Sequence, residues 1–449
     1  MQLRTAVPAT TIYRMTTSTP VPADSYYRAT MPSQRVHHAP LRGHCDTSIC
    51  VIGGGFAGLN TALGLAERGV RDVVLVEAGE IGQGASGRNG GFVFGGFSRG
   101  EAVLLKELGP SKARAMYAGT TQALELIRQR IDRYGIECER SDSGVIWANW
   151  FRDPEVLRER QRLLSEHYGV HWQWLAEAEL RGLVRSTRYH DGLFEPQAFH
   201  FHPLKYAAGL AEAAAAAGVA IHERSPATAL HRSGAGWRVT TDGGQVECAQ
   251  VVMACGGYLA GLRREVDAAV MPIATYAMVT EPLHDRMREV LTTQAAVYDT
   301  RFAFDYYRPL ADTRLLWGGR ISVRDRSSRD VQRLLYRDLL KVFPQLEGVR
   351  IDHAWSGLMS YARHQMPQIG RMEDGLWLAQ AFGGHGVAPT TFAGELLAAA
   401  IAQGDERWQD LAKYGLVSAF KPAGFAGAQL GYWWAQAKDS WKALREAGR

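Results

Sequence analysis

The stretch Ser48-Ile49-Cys50-Val51-Ile52-Gly53-Gly54-Gly55-Phe56-Ala57-Gly58 decides the fold. A short β-rich run enters a glycine loop without a break. Leu59, Leu63, Leu65 and Ala66 then recur at helical spacing as far as Gly69. Val73-Val74-Leu75-Val76 reads as a second buried strand, closed by Glu77 and Ala78. Strand, glycine loop, helix, strand and acid together form the opening unit of a parallel, doubly wound sheet that binds a dinucleotide. Gly53 makes the tight turn, Gly55 lets the backbone approach a pyrophosphate, and Gly58 lets the helix lie close to the sheet. Phe56 and Ala57 open that helix, whose free N–H groups and positive dipole end suit phosphate. Glu77 is placed to accept from ribose hydroxyls, and its charge opposes a 2′-phosphate.

Glu80-Ile81-Gly82-Gln83-Gly84-Ala85-Ser86-Gly87-Arg88-Asn89-Gly90-Gly91 follows the second strand at once. A plain nicotinamide-binding domain has no use for a second glycine-rich loop here. This stretch resembles the amine-oxidising FAD family that includes D-amino-acid oxidase, sarcosine oxidase and glycine oxidase. Its run Gly84 to Gly91 is most similar to the γ-glutamylputrescine oxidoreductase branch. The resemblance implies that the loop lines the pyrophosphate and the flavin ring, with Ser86, Arg88 and Asn89 as donors and Gly87, Gly90 and Gly91 letting backbone lie against the cofactor. It extends to Tyr26-Tyr27, Phe201-His202-Pro203-Leu204, Val251 to Tyr258 and Met366 to Arg371, and so covers roughly residues 25 to 440. Gly256 falls in a strand-to-glycine turn that the resemblance places near the first loop.

A matching signal stands near the other end. Leu376 to Ala381 reads as a strand, Phe382-Gly383-Gly384-His385-Gly386-Val387-Ala388-Pro389 as a loop, and Thr390 to Ala402 as a helix with Pro389 in its first turn. A helix N-terminus aimed at the pyrimidine end of the flavin stabilises negative charge on the reduced ring. The resemblance puts this loop beside the flavin, where His385 is a candidate donor or, alternatively, a hydrogen-bonded structural residue.

The expected fold class is α/β. A discontinuous Rossmann-like FAD-binding domain (46–100, 200–272 and 350–415) carries an antiparallel-sheet α+β substrate cap (101–199 and 273–349). The first insert holds charged helices over 101–134 and 153–168 and a strand at 144–147. The second holds strand-like runs at 274–280, 302–307 and 314–318 and a helix over 330–342. Residues 1–24 read as a disordered tail with Met15 as an alternative start, and 416–449 as a C-terminal tail that packs back on the body.

In this family an amine gives a hydride from its α-carbon to flavin N5, and the product imine hydrolyses. Candidate substrate residues lie in the run Asp305-Tyr306-Tyr307-Arg308, which the resemblance turns toward the flavin. Alternation puts Tyr306 and Arg308 on one face and Asp305 and Tyr307 on the other. Tyr306 or Tyr307 would line an aromatic wall, and Arg308 or Arg320 would hold a distal carboxylate; the plain alternative is cap core and surface arginine. Tyr276, Trp355 and His364 are weaker candidates. Two departures from the family matter. No cysteine follows Cys255, so FAD is expected to be non-covalent. No lysine matches the oxygen-activating one of some sarcosine oxidases, since Lys205 starts a helix and Lys341 reads as exposed; oxygen or another acceptor takes the electrons.

The 449 residues exceed one ordinary core, and a hydrophobic share of 46% is ordinary for a globular chain. The net charge of +5 is spread out, without a basic block, which argues against nucleic acid. There is no apolar run of membrane-span length. The odd set Cys45, Cys50, Cys138, Cys248 and Cys255, with no CxxC, fits reduced thiols in a cytoplasm-like compartment. The ligands expected are therefore FAD and a small amine, with no metal and no membrane. The competing readings are a D-amino-acid, glycine or sarcosine-type dehydrogenase, and a flavoprotein subunit whose FAD is structural.

Overall fold

The strand Gly43–Ile52 enters exposed and ends buried from Ile49 to Ile52, as the centre of a parallel sheet covered on both faces must. The computed structural model describes residues 25–421 and 423–447; the leader read as disordered, with Met15, lies outside them. Gly43–Ile52 pairs in parallel with Val73–Val76 on one side and Gly244–Met253 on the other. The sheet runs Gln368–Glu373, Leu376–Gln380, Gly244–Met253, Gly43–Ile52, Val73–Val76, Ala220–His222. The hairpin Ala227–Ser233 and Gly236–Thr241 hangs from Gly244–Met253. Three separate stretches of chain thus build one nucleotide-binding sheet.

The helix Phe56–Glu67 is buried from Phe56 to Ala66, with no solvent stripe. One face lies on the sheet and another on the helix Val387–Gln403, which is also largely apolar. The two helices meet at small residues: a Cβ on Gly64 would lie 2.9 Å from Ala398 Cβ, and one on Gly394 2.6 Å from Asn60 Cβ. Gly404 in the left-handed region (φ 72°) ends the second helix.

The second sheet runs Ile351–Tyr361, Met271–Thr280, Leu315–Ser322, Tyr306–Pro309, Ala296–Asp299, Val145–Ala148, Gly192–Glu195, Gln173–Leu175. It is antiparallel except where Ala296–Asp299 pairs with Val145–Ala148. Behind it Tyr307 stacks on Trp317 with ring centroids 4.7 Å apart, and Phe343 meets both edge-on. The helix Ser328–Val342 covers this core with Val331, Leu335 and Leu339.

The structure corrects two expectations. Of the run 302–307 only Tyr306 and Tyr307 are strand, as the start of Tyr306–Pro309. Asp299 accepts from the backbone N–H of Arg301 and Asp305 at 2.9 and 3.1 Å, and Arg301 pairs with both carboxylates. These bonds fold 300–305 into a turn. A domain boundary at 350 would cut Ile351–Tyr361 from its partner; this strand pairs along the whole of Met271–Thr280 and belongs to the cap sheet.

Candidate active site

Both sheets and the last helix border one cavity of about 1800 Å³, larger than a pocket for one drug-sized molecule. Gly53, Gly55, Phe56 and Ala57 line it. Gly53 has φ 116°, and a Cβ there would lie 2.5 Å from the Ala254 carbonyl oxygen. Gly58 does not line the cavity; a Cβ on it would meet the Gly53 carbonyl oxygen at 2.0 Å. It is the close-packing glycine of the three. Glu77 closes the next strand, and its carboxylate accepts from the N–H of Gly54 at 2.6 Å and of Gly79 at 2.8 Å. Burial pushes this carboxyl upward against the pull of those N–H groups. Its remaining lone pairs suit ribose hydroxyls. Ala78 and Gly256 line the cavity beside it.

The second loop comes next. Ser86 Oγ accepts from Phe56 N at 2.9 Å, so its hydroxyl sits at the helix N-terminus with a proton left to donate. Arg88 lines the cavity and donates to the Ser356 carbonyl at 3.3 Å, while Trp355 donates to the Arg88 carbonyl at 2.9 Å and pins the loop. Asn89 lines the cavity as well, with its side chain engaged within the loop. Its amide donates to the carbonyls of Ala85 and Ser86, and its oxygen accepts from Gly91 N. All three contacts shape the loop itself. Gly90 lines the cavity, whereas Gly87 and Gly91 face protein, a Cβ on each meeting a backbone carbonyl at 2.3 and 2.1 Å.

Opposite the first helix, Gly383, Gly384, His385, Gly386 and Val387 line the cavity. The N-termini of Phe56–Glu67 and Val387–Gln403 therefore converge on one space, each presenting the positive end of its helix dipole. His385 donates from Nε2 to the Phe94 carbonyl at 3.1 Å, with the Phe94 ring centroid 4.1 Å away. Burial pushes His385 down to about 4, so it is neutral near pH 7. Cys255 lines the cavity too; burial pushes its thiol up to about 12, which makes it a poor nucleophile.

The architecture (a doubly wound sheet, two glycine loops, a second convergent helix and a sheet-built roof) fits FAD. A family model described as DAO: FAD dependent oxidoreductase matches residues 48–400. The chain belongs to that family. It is 38% identical to γ-glutamylputrescine oxidoreductase of Escherichia coli (strain K12), over 82% of this chain and 86% of that one. It is 25% identical to glycine oxidase of Geobacillus kaustophilus, over 82% and 96%. The crystal structure of that species' glycine oxidase superposes with a TM-score of 0.69 at 24% identity, covering 83% of this chain and 99% of that one, which speaks to the fold. This member is accordingly an FAD-dependent oxidoreductase acting on amine or amino-acid C–N donors.

On the substrate side the DAO-family cap divides the candidates. Tyr306 lines the cavity, its ring wedged between Gly90 and Gly318, where added Cβ atoms would lie 2.6 and 2.1 Å from it. Phe92, Phe94, Tyr298 and Phe304 continue the wall, with Phe94 stacked on Tyr298 at 5.6 Å. Tyr307 is excluded: it is wholly buried on the other face, against Trp317. Arg308 is also excluded as a substrate anchor. It shares the face of Tyr306 but lies behind the second loop, donating to the carbonyls of Gly90 at 2.7 Å and Phe201 at 2.8 Å. Arg320 borders the cavity yet grips Asp338 through Nε and Nη2, both at 2.7 Å. Tyr276 donates to the Arg324 carbonyl inside the cap, and His364 meets the Gly415 carbonyl away from the cavity. Lys205 is held by Glu139 and Lys341 by Asp338, so among the described residues no lysine lines the cavity.

One wall escaped the sequence reading. The helix Ala423–Ala447 turns Gly424, Gly427, Ala428, Gly431, Tyr432 and Ala435 to the cavity. Small residues three and four apart were the available signal. Tyr258, across from Gly84, was read only as part of a turn.

Proposed function

We propose that this chain oxidises the C–N bond of a small amine of the γ-glutamylputrescine kind, with dioxygen as acceptor and hydrogen peroxide as product. The carrying observation is the aromatic wall of Phe92, Phe94, Tyr298, Phe304 and Tyr306 on the same cavity as the glycine loops. The two arginines that the sequence offered for a distal carboxylate are engaged elsewhere, Arg308 behind the second loop and Arg320 with Asp338, while Arg88 and Arg363 line the cavity. The aromatic wall suits the ammonium group of an aliphatic amine. The named activity of the Escherichia coli relative supports the same class.

The bound FAD supplies the hydride acceptor, and the chain supplies the setting. Loss of a hydride and a proton from the amine leaves an imine, which water converts to a carbonyl compound and a free amine. The ring faces attract the ammonium form, while exclusion of water lowers its pKa and favours the neutral amine that reacts. Phe304→Ala is expected to raise KM for the amine about tenfold with flavin content unchanged. An unchanged KM would remove the wall from the substrate's path.

Flavin reduction is expected to rise by about 100-fold between about pH 6 and pH 10 as the bound amine loses its proton. His385 is already neutral throughout that range, because burial holds it near 4. His385→Asn should therefore leave the midpoint of the rise in place. A flat profile in stopped-flow reduction, or a midpoint that moves with His385→Asn, would contradict this assignment.

A further inference from the structure

We infer that the outer face of the Ala423–Ala447 helix docks on an anionic lipid surface. Leu430, Trp433, Trp434, Trp441 and Leu444 are 62%, 60%, 74%, 61% and 71% exposed. Their spacing of three, four and seven residues places them on one helix face. Scattered exposed apolar residues are ordinary, but a contiguous strip with three tryptophans is not.

The opposite face is fastened to the body. Gln429 accepts from the Ser322 hydroxyl and Val323 N, at 3.1 and 3.2 Å. Asp439 accepts from Phe302 N at 2.9 Å and Glu446 from Arg152 N at 2.8 Å. Both acids of the helix thus turn inward. On the exposed side Lys438 and Arg445 flank the strip, the Arg445 guanidinium lying 4.8 Å from the Trp441 ring centroid. The outer face is therefore apolar with a border of cations only. Two such faces brought together about a twofold axis would offer these cations no acid from either helix, whereas anionic headgroups meet them directly. Tryptophan suits the boundary between headgroup and hydrocarbon.

No helix among the described residues is long and apolar enough to cross a membrane. A surface-lying helix needs no span, so this inference departs from the sequence expectation of no membrane partner. Because the inner face of the helix lines the cavity, docking sets the cavity rim beside the lipid.

The test is co-sedimentation of the full FAD-loaded chain with vesicles, either pure phosphatidylcholine or phosphatidylcholine with one third phosphatidylglycerol. The chain should pellet with the anionic vesicles. Trp433→Ser/Trp434→Ser/Trp441→Ser should weaken binding at least about tenfold. Lys438→Gln/Arg445→Gln should lose about fivefold per cation on anionic vesicles only. Flavin content and thermal midpoint of both variants show whether they are folded. The inference is overturned if the wild-type chain stays in solution with anionic vesicles, or if the triple serine variant pellets equally well. It is also overturned if light scattering shows an oligomer that the triple variant dissolves while no vesicle binds.

Discussion

Gly53→Ala protein is expected to leave the column colourless. At φ 116° an L side chain is strained, and the added Cβ would press on the Ala254 carbonyl oxygen 2.5 Å away. Strain of this kind costs about 1–3 kcal/mol, and the backbone contact adds to it. The loop must retreat from the position in which it cradles the pyrophosphate, and FAD affinity should fall at least about 100-fold. Gly69→Ala provides the control. Its φ is 84° but nothing lies within 4 Å of its Cβ, so it should lower the thermal midpoint slightly and keep the flavin. Equal flavin content in the two variants would show that the loop does not act as a cradle.

Arg308→Ala is expected to act on stability and flavin retention, and not selectively on the amine. Its guanidinium donates to the carbonyls of Gly90 and Phe201, with His200 Nδ1 and the Tyr27 hydroxyl nearby at 3.3 and 3.4 Å. Removal leaves two buried carbonyls without partners, at roughly 1–3 kcal/mol each. It also frees the loop from Gly84 to Gly91. Lower thermal stability together with weaker FAD binding is the predicted pair of results, measured by thermal unfolding and flavin titration. A raised KM with stability and flavin content unchanged would instead make Arg308 the substrate's anchor.

These two residues also show what could be read in advance. The requirement on Gly53, Gly55, Gly58 and Glu77 is local, arising within one strand, loop, helix and strand, so residue type and spacing disclosed it. The 383–387 loop was legible for the same reason. Arg308 was not. Period-two alternation correctly put it on the face of Tyr306, but what covers that face is Gly90, 218 residues earlier in the chain. Asn89 has the chemistry of a cofactor donor, yet its short side chain closes on its own loop first. Ile351–Tyr361 looked like the approach to the last nucleotide-binding strand, and only its pairing with Met271–Thr280 reveals a cap strand. Phe302–Tyr307 reads as strand by residue type, but the Asp299–Arg301–Asp305 cluster bends it. The cavity wall from the last helix was marked only by the spacing of its small residues, because glycine and alanine carry no functional group of their own.

The most direct test is the absorbance spectrum of the purified protein, recorded without oxygen before and after γ-glutamylputrescine, putrescine, sarcosine and D-alanine are added in turn. The account predicts a flavin spectrum bleached most rapidly by γ-glutamylputrescine or a similar extended amine and restored when air is readmitted. A bound flavin that none of these amines bleaches would contradict amine oxidation as the function of this site.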